Sequence, residues 1–526
     1  MLRFEVYHDG RLAEHVNLSG AYVFGQDRIP VRADLAAAKG QIRCLKRGPG
    51  ACGLALLWEA GEAGTFLLST TRLADRKKPY NLTVELLRSQ MKRLIQKRED
   101  WGLFDYADAA ELNTEFERIR AQFVEAVKCR DAAAAAAVAD VALPEAVVLG
   151  EKMALFHADI LLARRRASAA AARVGFGCVV DLLSGTERFR RLIAESFDLV
   201  SIPLSWKKLA AKEREYRWEH VDDWVNWATA NRRVVHAGPL VSFDPDDVPQ
   251  WLYIWEHDYE SLREMIYEHL HRVVKRYEQK VRLWKVASGL HAHNTFNLSF
   301  EQIMELTRMS CSVVKKLAPR SAVLIELVMP WGEYYARNQR TIPPMLYADM
   351  AVQSGIKFDG FGVQLYQGVP QDGLYVRDLA QISALLDEFV GLGMPVHITG
   401  MQVPSAISAD AWDAWEGKYR PSDGGRWHVA WNQRLQAEWL QFVCRVALSK
   451  PFVDSICWRD LADYEGHYLP HGGLCRNDLT PKAAYRELRA FRAMMRRPLD
   501  APEGASSSAE GVFPVEEEPP AAEVSS

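Results

Sequence analysis

The sequence has no run of 18 or more apolar residues, no C-x-x-C pair, and no lasting excess of one charge. The first absence leaves no stretch that reads as a membrane-spanning helix. The second, with eight cysteines scattered at 44, 52, 129, 178, 311, 444, 457 and 475, points to reduced thiols and away from a disulfide framework or a zinc site. The third bears on partners: the net charge is −3, and the last 29 residues alone hold seven acids and no base, leaving residues 1–497 near +4. Neither value suggests a nucleic-acid or membrane-surface partner, and none is expected. The opening MLRFEVYHDGRL lacks the basic and apolar regions of a secretory signal, so a cytoplasmic location is the expectation. No G-x-G-x-x-G opens a helix, and neither a cofactor nor a metal is expected.

What is present is an ordinary globular composition, 48% apolar and 25% charged, on 526 residues, more than one hydrophobic core usually holds. Residues 1–80 carry short β-type runs, among them LRFEVY, AYVFG, GLALLW and TFLLS, and read as a small β-sandwich-like domain. From Thr83 the period changes. Val84, Leu87, Met91, Leu94 and Ile95 share one helical face, and Leu112, Phe116, Ile119 and Phe123 another, so residues 81–171 read as a helical connector. Residues 172–497 then repeat strand, loop and helix, with strands VGFGCVV, FDLVSIPL, RVVHAGPLVSF, VRLWKVAS, AVLIELVM, FDGFGVQLY, PVHITGMQV and VDSICW. Eight such units match a closed (β/α)8 TIM barrel, typically ~250 residues before insertions; an open doubly wound sheet is the alternative. Residues 498–526, rich in Pro, Ala, Ser and Glu, read as a disordered acidic tail.

Several barrel segments carry residues in a recognisable order. FDLVSIPLSWKKL keeps Phe197, Val200 and Lys207, and the next helix and strand keep Asn231, Val235, Leu240 and Val241. RYEQKVRLWKVASG keeps Arg276, Tyr277, Trp284 and Val286; FDGFGVQLY keeps Asp359, Gly360, Gly362 and Gln364. PVHITGMQV keeps Ile398 and Thr399, and LCRNDLTPKAAYREL keeps Leu474, Pro481, Lys482, Ala484 and Tyr485. In this order they resemble glycoside hydrolase family 10, the endo-β-1,4-xylanases, over roughly residues 172–490. The resemblance implies a (β/α)8 barrel of carbohydrate metabolism.

A retaining glycosidase needs two carboxyl groups about 5–5.5 Å apart, one as acid/base and one as nucleophile. The resemblance places them at the ends of the fourth and seventh strands. Here those positions are Gly289, in Trp284-Lys285-Val286-Ala287-Ser288-Gly289, and Gly400, in Ile398-Thr399-Gly400-Met401-Gln402. The sugar-holding Glu-Asn-Glu of the second strand is Pro203, Leu204 and Ser205; the third-strand His and Trp are Gly238 and Ser242; the sixth-strand His is Tyr366. Hydrolysis by the family mechanism is therefore not expected, and whether the chain is an enzyme stays open. Substitute acids that could reach the barrel mouth are Glu326 and Asp460, with Glu333 beside Trp331, although strand-end acids usually form salt bridges or caps. His291 and His293 could join Glu326 around a metal, but alternating loop histidines more often face solvent or buttress other groups.

Binding features survive in the resemblance. Lys207, Gln364 and Trp458 fall where the family lines its sugar site, and Tyr366 stands beside them. The insertion AWDAWEGKYRPSDGGRWHVAW adds Trp412, Trp415, Tyr419, Trp427 and Trp431, which can stack on pyranose rings or pack the loop onto the barrel wall. Three functions remain open: a degenerate barrel binding a β-linked saccharide, a hydrolase of O-glycosyl bonds with relocated acids, or a scaffold for protein partners.

Overall fold

The computed structural model describes residues 1–48, 50–168 and 171–497; the tail expected to be disordered lies outside them. The N-terminal strands form two larger sheets and a small antiparallel pair, Tyr7–His8 with Arg11–Leu12. One runs in the order Tyr80–Asn81, Leu2–Glu5, Gln41–Lys46, Ala33–Ala38. Its strands alternate, so that Leu2, Phe4, Ile42 and Cys44 turn inward and are buried. The other runs Arg426–Trp427, Gly64–Ser69, Gly53–Glu59, Tyr22–Phe24, Pro30–Val31. Pro30, which lacks an N–H, stands on the edge strand, where no ladder bond is lost. Leu54, Leu56, Phe66 and Leu68 from this sheet share a core with the first.

Three helices follow: α1 (Leu82–Asp100), α2 (Ala110–Lys128) and α3 (Ala132–Arg166). The Asn81 and Asp131 side chains cap α1 and α3 by accepting the N–H groups of Val84 and Ala134. Among the described residues α3 alone is long and apolar enough, by length and composition, to cross a membrane. Here its apolar side packs against α1, α2 and the barrel helices Leu379–Glu388 and Gln433–Ser449. At its end Arg165 donates to the carbonyls of Leu448, Lys450 and Val453 at 2.9, 2.8 and 2.9 Å; the first two are groups that the close of helix Gln433–Ser449 leaves free, and the third opens the strand that follows.

The rest is a closed barrel of eight parallel strands: β1 (Gly175–Val179), β2 (Leu199–Ile202), β3 (Val234–Ala237), β4 (Val281–Ser288), β5 (Ala322–Leu327), β6 (Gly360–Tyr366), β7 (Val396–Gln402) and β8 (Val453–Trp458). β8 pairs with β1 through Ser455↔Gly175 and Trp458↔Cys178, which closes the ring. The strands are buried almost end to end, as parallel strands covered by helices must be. The closing helix Ala483–Arg496 is tied to the foot of the barrel by Arg492 and Arg496, both on Asp198. All eight cysteines are unpaired and all but Cys129 are buried.

Candidate functional site at the carboxyl end of the barrel

In closed barrels of this kind chemistry sits where the strands end and their loops converge. Gly289 follows β4 with φ +62°, in the left-handed region, and its carbonyl accepts the N–H groups of Ala292 and His293 at 2.9 and 2.8 Å. A Cβ on residue 289 would lie 2.8 Å from Val328 Cγ2 and 3.0 Å from His293 Cδ2. Gly400 lies within β7, in register with Gln364 of β6. The Tyr366 hydroxyl fills the space where a Cβ on residue 400 would stand. Both positions thus exclude a side chain, one by backbone conformation and crowding, the other by a ring already in place.

The two substitute acids are buried. Glu326, on β5, is 1% exposed; its Oε2 accepts the Ser288 hydroxyl and its Oε1 has no hydrogen-bond partner. Asp460, after β8, is 3% exposed and accepts from Gln402 Nε2 at 2.9 Å, the Tyr468 N–H at 2.8 Å and the Tyr464 hydroxyl. It is fully engaged as a loop organiser. Glu333 does not serve the mouth as a free acid: it is wholly buried in an ion pair with Arg377, and its Oε2 also accepts the Gly373 N–H at 3.1 Å.

A glycosyl hydrolase family 10 model matches residues 165–490, more than half of the chain. The chain belongs to glycosyl hydrolase family 10. It is similar to endo-1,4-beta-xylanase B of Thermotoga neapolitana (21% identical over 227 residues, 42% of this chain and 62% of the relative). It is also similar to endo-1,4-beta-xylanase A of Xylanibacter ruminicola (27% over 228 residues, 41% and 56%), and so spans less than two thirds of either relative. Among solved structures, xylanase 10B of Thermotoga petrophila RKU-1 is 16% identical with a TM-score of 0.47, covering 64% of this chain and 97% of that one. Native xylanase 10B of Thermotoga maritima is 17% identical with a TM-score of 0.46, covering 63% and 98%.

The mouth of this family 10 barrel is filled by its own aromatic side chains. The rings of Tyr366 and Tyr468 lie 4.7 Å apart; Trp415 packs on Tyr468 at 5.1 Å and on Tyr419 at 5.9 Å. Burial pushes the Tyr366 hydroxyl far above its ordinary pKa, so it stands there as a neutral phenol. The Arg459 guanidinium lies 5.3 Å from the Tyr468 ring, at cation–π distance. Lys207 is half-buried with its Nζ 3.1 Å from the Pro245 carbonyl, which accepts from it. Gln364 is half-buried two residues before Tyr366 and shares its side of β6. Trp458 is 1% exposed, its Nε1 donating to the Gly472 carbonyl at 3.0 Å.

Trp427 and Trp431 are buried in the packing of the insertion. Arg426–Trp427 pairs antiparallel with Gly64–Ser69 and completes the N-terminal sheet. The Trp427 indole is fully buried and donates to Glu151 Oε1 on α3 at 2.8 Å; Trp431 Nε1 donates to the Gly425 carbonyl at 3.2 Å. Both indoles anchor the insertion. His291 is buried with Nδ1 2.6 Å from the Tyr334 hydroxyl, while His293 Nε2 lies 3.4 Å from Asp244 Oδ2, so the histidines serve different neighbours. Among the described residues no three His, Cys, Asp or Glu side chains group as a metal site.

The N-terminal sheet leans on the loops beyond β6 and β7, contacts that no local residue pattern marked. Leu67 donates its N–H to the Val376 carbonyl at 2.9 Å, and Arg377 Nη1 returns a bond to the Leu67 carbonyl at 3.0 Å. His428 donates its N–H to the Ala63 carbonyl at 3.0 Å. One flank of the mouth is thereby walled by the sandwich.

Proposed function

We propose that this chain is a catalytically silent family 10 barrel that binds a β-linked saccharide on the aromatic rim of its mouth. The carrying observation is the Tyr366 hydroxyl in the space that a side chain on residue 400 would need. A retaining mechanism requires a carboxylate there, and neither Glu326 nor Asp460 stands ready as a replacement: both are buried, Asp460 is bonded at both oxygens, and Glu326 is held by Ser288 through one oxygen. Trp415, Tyr419 and Tyr468 are only partly covered and Trp412 is exposed, which leaves ring faces for apolar stacking on pyranoses. The relatives' names, endo-1,4-beta-xylanases, make a β-1,4-linked oligosaccharide the first ligand to try.

A glycan array combined with hydrolysis assays on aryl glycosides tests this reading. Binding without turnover supports it; turnover that Glu326→Gln or Asp460→Asn abolishes would replace it with a hydrolase using relocated acids. The filled mouth and the sandwich against its flank favour a second reading, a scaffold for protein partners. That reading takes over if no saccharide binds at all.

A further inference from the structure

Outside the aromatic mouth, the loops after β7 and β8 bring a serine, a histidine and an aspartate into line. Ser408 Oγ lies 2.9 Å from His471 Nε2, and His471 Nδ1 lies 3.2 Å from Asp410 Oδ2. Asp410 Oδ2 also accepts the His471 N–H at 2.9 Å and faces His467 Nε2 at 3.0 Å, while Oδ1 accepts the Trp412 N–H at 3.0 Å. Desolvation raises this carboxyl's pKa, but the bonds from His467 and from the two backbone N–H groups outweigh it and hold the group well below its usual range, hence charged.

His471 itself is held firmly. Its φ is +50°, uncommon outside glycine, and its carbonyl accepts from Ser405 Oγ at 2.7 Å and Lys482 Nζ at 3.0 Å. A loop staple alone would need only the Asp410 bonds, yet the second ring nitrogen is aimed outward at an exposed hydroxyl. Ile407 and Trp412, within four residues of the serine, are 52% and 49% exposed and put apolar surface on the same loop.

We propose that Ser408, His471 and Asp410 form an acyl-transfer site for solvent-accessible esters with a short apolar or aromatic acyl group. A hydroxyl, an imidazole and a carboxylate stand in the order nucleophile, base and acid, with contacts of 2.9 and 3.2 Å. Ser408 Oγ bonds to the ester carbonyl carbon while its proton passes to His471 Nε2. The acyl C–O bond then breaks, and the same proton leaves with the alcohol. Water repeats the sequence on the acyl-serine, releasing the carboxylic acid and restoring the hydroxyl.

The test treats the full chain with a fluorophosphonate probe and, separately, with p-nitrophenyl acetate. An adduct mapped to Ser408 by mass spectrometry is expected, with ester hydrolysis falling about 100-fold in both Ser408→Ala and His471→Asn. Asparagine tolerates the left-handed backbone at 471, and circular dichroism checks that both variants stay folded. An adduct on Ser408 no greater than on the exposed Ser422, or hydrolysis unchanged in Ser408→Ala, would overturn the proposal. Either result is read without reference to saccharide binding.

Discussion

Tyr366 of β6 leans across the barrel mouth so that its hydroxyl occupies the position from which a side chain on Gly400 of β7 would grow. The ring cannot easily retreat, because Tyr468 backs it at 4.7 Å and Leu374, Val369 and Leu469 pack around it. Gly400→Ala is therefore expected to cost about 1–3 kcal/mol through overpacking. In a Tyr366→Leu background the same substitution should cost less, by a coupling of about 0.5–3 kcal/mol. Urea denaturation of the four proteins in the cycle measures it; equal costs in both backgrounds would mean that the ring does not bar the position.

Introducing carboxylates at these two glycines should give no turnover, for a related reason. Gly289→Glu must place an L-residue at φ +62° against Val328, a conformation that costs roughly 1–2 kcal/mol per residue before the crowding is counted. Gly289→Glu combined with Gly400→Glu is expected to lower Tm and to release no p-nitrophenol from an aryl β-xyloside above background. Measurable turnover by the double variant would show that the mouth opens more freely than its packing indicates.

The barrel was legible in the sequence because parallel strands covered on both faces are short apolar runs between turn signals; VRLWKVAS became β4 and VDSICW became β8. That residues 289 and 400 are glycines is plain from the sequence as well. Nothing in the residue pattern showed that the Tyr366 hydroxyl stands against Gly400, since a tyrosine on a strand end serves a ligand or a packing role equally well. Trp427 and Trp431 were ambiguous for the same reason: an indole offers one apolar body and one N–H donor to a sugar or to a protein wall. The pairing of Arg426–Trp427 with Gly64–Ser69 had no local signature, because a two-residue strand has no period to read and its partner lies far away in the chain.

The Glu333–Arg377 pair links the loops beyond β5 and β6 to the N-terminal sheet through the Leu67 carbonyl. Both side chains are buried, Glu333 at 0% and Arg377 at 3% exposure, so removing one leaves the other buried without its partner. Arg377→Ala is expected to cost about 3–5 kcal/mol and to expose the sheet to limited proteolysis near Leu67. Replacing both, Glu333→Leu with Arg377→Met, should recover most of that loss, because an apolar pair of similar volume carries no desolvation penalty. A double variant as unstable as the single one would point to the Leu67 bond as the stabilising contact in place of the ion pair.

The contact between the insertion and α3 should depend on pH near neutrality. His428 Nε2 lies 3.1 Å from Glu151 Oε2, a carboxylate whose other oxygen accepts from Trp427 Nε1 and from the Leu379 N–H at 3.0 Å. Burial lowers the His428 pKa, but the bond to Glu151 and its charge outweigh that and raise it above the ordinary histidine value. A folded-state pKa above the unfolded one means that the contribution to stability is fully present below about pH 6.5 and is lost as pH rises through the folded value. Tm followed from about pH 5.5 to 8.5 should thus fall on the alkaline side, and His428→Asn, which suits the left-handed backbone at φ +61°, should flatten the profile. A wild-type slope that survives in His428→Asn would assign the pH dependence to another group.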